Sequence, residues 1–181
     1  MAFGPLRDLG PAIVVWGATT IEEIYEEVRW RMEGNHAEVF ESLYGATPVD
    51  TVFLGYSSCE VVVPATRTTL AVLNTIIPGS TNSGGASGYV GVKAAGNGAE
   101  VGRSMYEEGK PLFIKPIVDG IAVANGKWLR LEHTYPSPNF DVGFNLTDQR
   151  TFGITFKAHP DTTSKLLWSM GDVAETDLTG Y

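Results

Sequence analysis

The side chains best suited to chemistry are three histidines, one cysteine and several paired carboxylates, and their spacing decides what they could do. His36, His133 and His159 are far apart and show no ligand spacing with cysteine or carboxylate, so they build no recognisable metal set. Cys59 is the single cysteine and cannot form an internal disulfide; its place inside an apolar strand pattern predicts a buried filler, not a nucleophile. Glu22-Glu23, Glu26-Glu27 and Glu107-Glu108 read as solvated surface. No Ser-His-Asp or Cys-His frame is present, so no catalytic residue is assigned.

Phosphate binding is the next candidate. The stretches GGASGYVGVK (84–93) and GNGAEVG (96–102) are rich in glycine, but neither has the GxxxxGK[ST] order or the GxGxxG spacing. Neither follows a strand and opens a helix, which the mechanism requires. No nucleotide, cofactor or metal is therefore expected. His159-Pro160-Asp161 matches the tripeptide of chaperone-stimulating J-domains, yet a strand pattern from Thr151 to Ala158 precedes it, so it reads as a strand-ending turn.

The elements around these residues are mostly strands. Thr47, Pro48 and Asp50 have turn chemistry, ending near Thr51. Thr51 to Val63 alternates β-branched, aromatic and small residues over an unusual length, with Pro64 expected to close it. Thr66 is the expected N-cap of a helix carrying Leu70, Leu73, Ile76 and Ile77, stopped by Pro78 and Gly79. Upstream, Ala12 to Ala18 reads as a strand. Ile24 to Glu33 fits either periodicity, and its aromatic and β-branched content favours a strand turning at Gly34-Asn35 into Ala37 to Leu43.

Downstream, Pro111 to Asp119, Lys127 to Tyr135, Asn139 to Leu146 and Thr151 to Ala158 read as strands, with a turn at Ala124-Asn125-Gly126. Leu166 to Met170 reads as one helical turn. Residues 79 to 102 must be mostly loop, because glycine costs about 0.5 to 1 kcal/mol relative to alanine in a regular element. Met1 to Pro11 reads as an irregular arm and Gly171 to Tyr181 as an acidic tail. The sum is a mainly β fold: an antiparallel sandwich or barrel with one flanking helix, in one domain of 181 residues.

Composition narrows the function. A net charge of −8 argues against a strong nucleic-acid site, since phosphate binding draws on clustered Lys and Arg, but not against DNA passing nearby. No basic leader with a long apolar core opens the sequence, and no apolar run approaches the ~20 residues that span a bilayer. A cytoplasm-like compartment and no membrane partner are expected.

In their order, Ala12-Ile-Val-Val-Trp-Gly17, Pro48-Val-Asp50, the strand ending Val-Val-Val-Pro64, the helix with Thr69-Leu70, the glycine-rich excursion and Pro160-Asp161 resemble the tail tube (major tail) proteins of tailed bacteriophages. The resemblance spans nearly the whole sequence, though each motif alone is weak. It implies a fold shared with the type VI secretion tube protein, in a subunit that forms hexameric rings stacked into a hollow tube for DNA ejection. It further implies a virion tail assembled in the host bacterial cytoplasm. The partners implied are a tape measure inside the bore, terminator and baseplate at the ends, and in some tails a sheath. DNA would pass through without specific binding.

Under that reading, the strands within 24–33, 37–43, 51–63 and 151–158 form the lumen sheet, with Glu38 or Glu60 as candidate lining acids; the equal alternative is that these are ordinary surface acids. The 1–11 arm, the 79–102 loop and the 171–181 tail are the candidate contacts between rings. Three other readings remain: a tail-completion or connector ring protein, a β-sandwich ligand-binding module using Trp30 or Trp128 as a platform, and an enzyme.

Overall fold

A computed structural model describes residues 12–21, 24, 27–66, 69–84, 88–92, 102–118, 121–122, 128–137, 141–142 and 152–171. The strands, in order, are β1 (Ala12–Trp16), β2 (Thr19–Ile21), β3 (Arg29–Phe40), β4 (Pro48–Ala65), β5 (Ser80–Asn82), β6 (Val90–Val92), β7 (Lys110–Val118), β8 (Ile121–Ala122), β9 (Trp128–Pro136), β10 (Asp141–Val142), β11 (Phe152–His159) and β12 (Trp168–Gly171). One α-helix, α1 (Leu70–Ile76), follows β4. The protein is mainly β, built on a large antiparallel sheet, as its alternating patterns predict.

The main sheet runs β2-β1-β7-β9-β11-β4-β3, with β8, β10 and β12 paired at the side to β7, β11 and β9. Period-two alternation sends one face of β1, β7, β9, β11 and the inner part of β4 to a common core. Val14 and Trp16, Leu112, Leu129 and Leu131, Phe152, Ile154 and Phe156, and Cys59, Val61, Val63 and Ala65 meet there with Ile76 of the helix. The sheet must roll up for this to happen. Trp16 on β1 and Phe156 on β11 have two strands between them in the sheet, yet their rings are 5.7 Å apart, and the Trp16 indole N–H donates to the Thr134 carbonyl at 3.1 Å. Ile24, three residues past the edge strand β2, forms a bridge with Ala65 near the far end of the sheet. The two ends of the sheet thus approach each other as in a barrel.

Several expectations are corrected. The turn after the third strand ends at Thr47, and Pro48 is the first residue of β4, a position where a missing N–H is tolerated. Pro64 does not close β4; it pairs with Gly153, and because β3 has begun only at the Arg29–Val62 pair, one flank of the strand there makes no demand on its nitrogen. Thr69, not Thr66, caps α1, accepting the Val72 N–H at 3.3 Å. Trp168–Gly171 is a strand, not a helical turn, because its backbone pairs with Trp128–Leu131 of β9. Residues 80–82 and 90–92 make a short hairpin inside the glycine-rich stretch. The 1–11 arm, the 124–126 turn, most of 139–146 and of 93–102, and residues 172–181 lie outside the described residues.

The largest correction concerns Gly34-Asn35. These residues do not turn the chain but lie in the middle of β3, which pairs with β4 from Arg29–Val62 to Phe40–Pro48. The hairpin turns instead through a single 3-10 turn, Ser42–Tyr44, and Gly45. One long ribbon replaces two short strands.

Candidate functional site

That ribbon is the most unusual feature of the molecule. From Glu33–Ser58 outward, β3 and β4 leave the barrel as a two-stranded arm. Seven residues separate Glu33 from Phe40, so at ~3.3 Å per residue the arm is about 23 Å long. Its root is marked by register shifts at Glu33/Gly34 and Asn35/His36. Gly55 sits there at φ +118, a conformation side chains rarely adopt, and the irregularity places Phe53 and Tyr56 together, their rings 5.1 Å apart in an edge-to-face contact. Both lie over Gly34, where a Cβ would come within 3.2 Å of Phe53.

The arm has apolar side chains on both faces. Beyond the bulges, His36 pairs with Phe53 and Glu38 with Thr51, so Phe53 and Val49 share one face with these polar residues, and Phe40 follows a further register shift opposite Pro48. Ala37 pairs with Val52, which puts Val52, Leu54 and Val39 on the other. All six are exposed, Leu54 at 64%, and the tip adds Leu43 at 85% together with Tyr44. Most of the exposed large hydrophobic residues described belong to this arm, although it is the part of the protein least able to hide them.

The arm's backbone is open as well. Among the described residues, β3 has no partner on the edge away from β4, and β4 has a second partner only from Glu60 to Ala65, through β11. From Pro48 to Cys59 its outer edge has no partner among the described residues. A two-stranded ribbon with open edges and large apolar side chains on both faces is marginal by itself in water and is a template for another chain. Natural monomers blunt such edges; this one leaves them long and apolar.

The sequence-derived candidates fall into place around this arm. The strands expected to share one sheet do so, as neighbours in the order β11-β4-β3. Glu38 lies out on the arm, opposite Thr51, and Glu60 lies on the barrel, about 30 Å further along β4. The two are not brought together. Glu60 stands in a cross-strand row between Arg31 and Lys157, with the Arg31 guanidinium 4.0 Å away, so its charge is balanced by its neighbours.

Trp30 packs edge-to-face on Trp168 with ring centroids 5.0 Å apart, and its indole N–H donates to the Cys59 sulfur at 3.4 Å. Trp128 is buried against Phe113 and Val15, with the Lys115 ammonium 4.3 Å from its ring centre. Neither is an open binding platform. Cys59 is buried in the core, as expected, and that burial pushes its thiol above the usual range despite the Trp30 hydrogen bond.

His133 and His159 belong to an aromatic stack: Tyr106 lies 4.2 Å from His133, and Tyr135 lies 5.2 Å from His159. Among the described residues no group of three His, Cys, Asp or Glu could hold a metal. His159-Pro160-Asp161 ends β11 in a turn, where the Asp161 carboxylate accepts the Ser164 and Thr163 N–H groups, at 2.5 and 3.0 Å, and is held below the usual carboxylate range mainly by Ser164. Among the described residues no helix is long and apolar enough to cross a membrane.

Gly34-Asn35 has the composition of a hairpin turn and so hides the arm in the sequence. A signal is nevertheless present: Val49 and Phe53 in one register, and Val52 and Leu54 in the other, put large apolar residues on both faces of β4, beside only Thr51 and Asp50. Comparison with protein-family models and with curated proteins finds no match.

Proposed function

We propose that the protein is a self-assembling structural subunit of the bacteriophage tail tube type, forming rings that stack into a hollow conduit for DNA. The observation that carries this reading is the arm, with both backbone edges open among the described residues and large apolar side chains exposed on both faces. One isologous contact would cover one such surface and leave the other in water. Two different edges call for two different neighbours, and heterologous contacts of that kind close into rings or extend into filaments. A ligand-binding module has no use for such a surface, and the tryptophans that would serve it are packed away.

In this proposal the β11-β4-β3 part of the sheet supplies the wall of the bore, and hexameric rings stack through the arms. Tape measure, terminator and baseplate proteins would occupy the bore and the ends. The overall negative charge suits a channel that DNA must traverse without sticking. Assembly would take place in the cytoplasm of a bacterial host, and the working location would be the virion tail. Negative-stain electron microscopy of the purified protein tests the reading. Stacked rings or tubes are expected, lone rings would favour a connector, and dispersed monomers at high concentration would overturn it.

A further inference from the structure

We propose that the root of the arm is a hinge on which the whole ribbon pivots against the barrel, and that the Phe53–Tyr56 contact is the catch that holds its present setting. Where β3 and β4 leave the barrel, their ladder is broken twice within a few residues. Pairing runs Glu33–Ser58, Gly34–Tyr56, Asn35–Gly55 and His36–Phe53, so Ser57 and Leu54 are each skipped by the β3 register. Each is a bulge on β4, and a bulge bends its strand and raises the local twist. The pairs between the two bulges are Gly34–Tyr56 and Asn35–Gly55, and each contains a glycine. Among the described residues no third strand braces this joint, because β11 pairs with β4 only between Glu60 and Ala65. On an arm about 23 Å long, every 10° or so of pivot moves the tip about 4 Å.

The two glycines do different work. At Gly55, held at φ +118, an added Cβ would meet nothing within 4 Å, so the backbone can rotate there without displacing a side chain. At Gly34 the space of the missing side chain is taken by rings: Phe53 would lie 3.2 Å and Tyr56 3.7 Å from a Cβ, and the two rings meet edge to face at 5.1 Å. The bulged Ser57 keeps the root tied by donating its hydroxyl to the Glu33 carbonyl at 3.2 Å. A few residues that absorb the backbone change while the elements on either side stay rigid are what a hinge requires. Phe53 and Tyr56 are 60% and 56% exposed, so each is held by the other and by the glycine beneath, not by the core. Opening the joint parts them, and an aromatic pair of this kind favours the closed setting about two- to tenfold. The pivot belongs to the single chain and does not depend on self-assembly.

The test is the distance between nitroxide labels at Leu43→Cys on the arm tip and Thr163→Cys on the exposed turn after β11, read by double electron–electron resonance on dilute, unassembled protein. The native Cys59 is buried and stays unlabelled. One dominant distance with a second, minor one is expected. Phe53→Ala removes the catch and should raise the ratio of the second to the first about two- to tenfold. Tyr56→Ala should do the same, and it keeps the test open should Phe53→Ala fail to fold. A single distance that neither variant moves would overturn the hinge. A broad, featureless distribution in the variants would overturn it as well, because the arm would then be fraying and not pivoting. Either result leaves the self-assembly reading to its own test by microscopy.

Discussion

Truncating Leu54 to alanine should weaken assembly far more than it weakens the fold. Leu54 lies on the arm, 64% exposed in the single chain. The change removes three carbons, each contributing about 0.8 kcal/mol when buried. Scaled by the exposed share, roughly 1.5 kcal/mol of that burial is still to be gained when a neighbour covers the arm. At 1.4 kcal/mol per factor of ten, the concentration needed for assembly should rise about tenfold. The share already buried contributes about 0.9 kcal/mol to the single chain. For a domain of this size that is a fall of about 2–4 °C in the unfolding temperature. Pelleting over a concentration series gives the first quantity, and thermal unfolding of dilute, unassembled protein gives the second. An assembly threshold unchanged within twofold would refute the burial of this face between subunits. A loss of assembly accompanied by a fall of 10 °C or more would mean that Leu54 supports the fold instead.

Other perturbations probe the barrel. Phe156→Ala removes a fully buried ring packed on Trp16 and should cost about 3–5 kcal/mol in chemical denaturation; a loss under 1 kcal/mol would contradict the rolled core. Thr69→Ala removes the α1 cap and should cost about 1 kcal/mol, whereas Thr66→Ala should not act through helix capping. The Cys59 thiol, pushed up by burial, should react with alkylating reagents far more slowly in the folded protein than after denaturation at pH 8. The unfolded thiol ionises first as pH rises, so this group's stabilising contribution is full below the unfolded pKa and is lost as pH climbs through the folded one. Stability of the wild type relative to Cys59→Ala should therefore fall in alkaline solution.

The parts of the fold legible in the sequence are those where one periodicity had no rival. Val61, Val63 and their neighbours on β4, and Phe152, Ile154 and Phe156 on β11, alternate strictly, and each of these sets faces the core. Where local chemistry and long-range pairing disagree, pairing wins. Gly34-Asn35 has the composition of a turn, but β4 offers a continuous edge on which glycine serves as a bulge under two aromatic rings. Leu166 to Met170 reads as a helical turn, but the available edge of β9 makes Trp168–Gly171 a strand. The open edges of the arm could not be read at all, because an edge is defined by what fails to pair in three dimensions. Glu60 illustrates the same limit: its isolated negative charge in the sequence becomes a balanced row with Arg31 and Lys157 once the register is known.

The most direct measurement is an electron cryomicroscopy map of the assembled protein at side-chain resolution. The arm from Gly34 to Ser58 should run between neighbouring subunits, with Phe53 and Leu54 both covered and both strand edges engaged. An assembly in which the arm projects into open solvent, or no assembly at saturating concentration, would contradict the claim that this ribbon is the working part of the molecule.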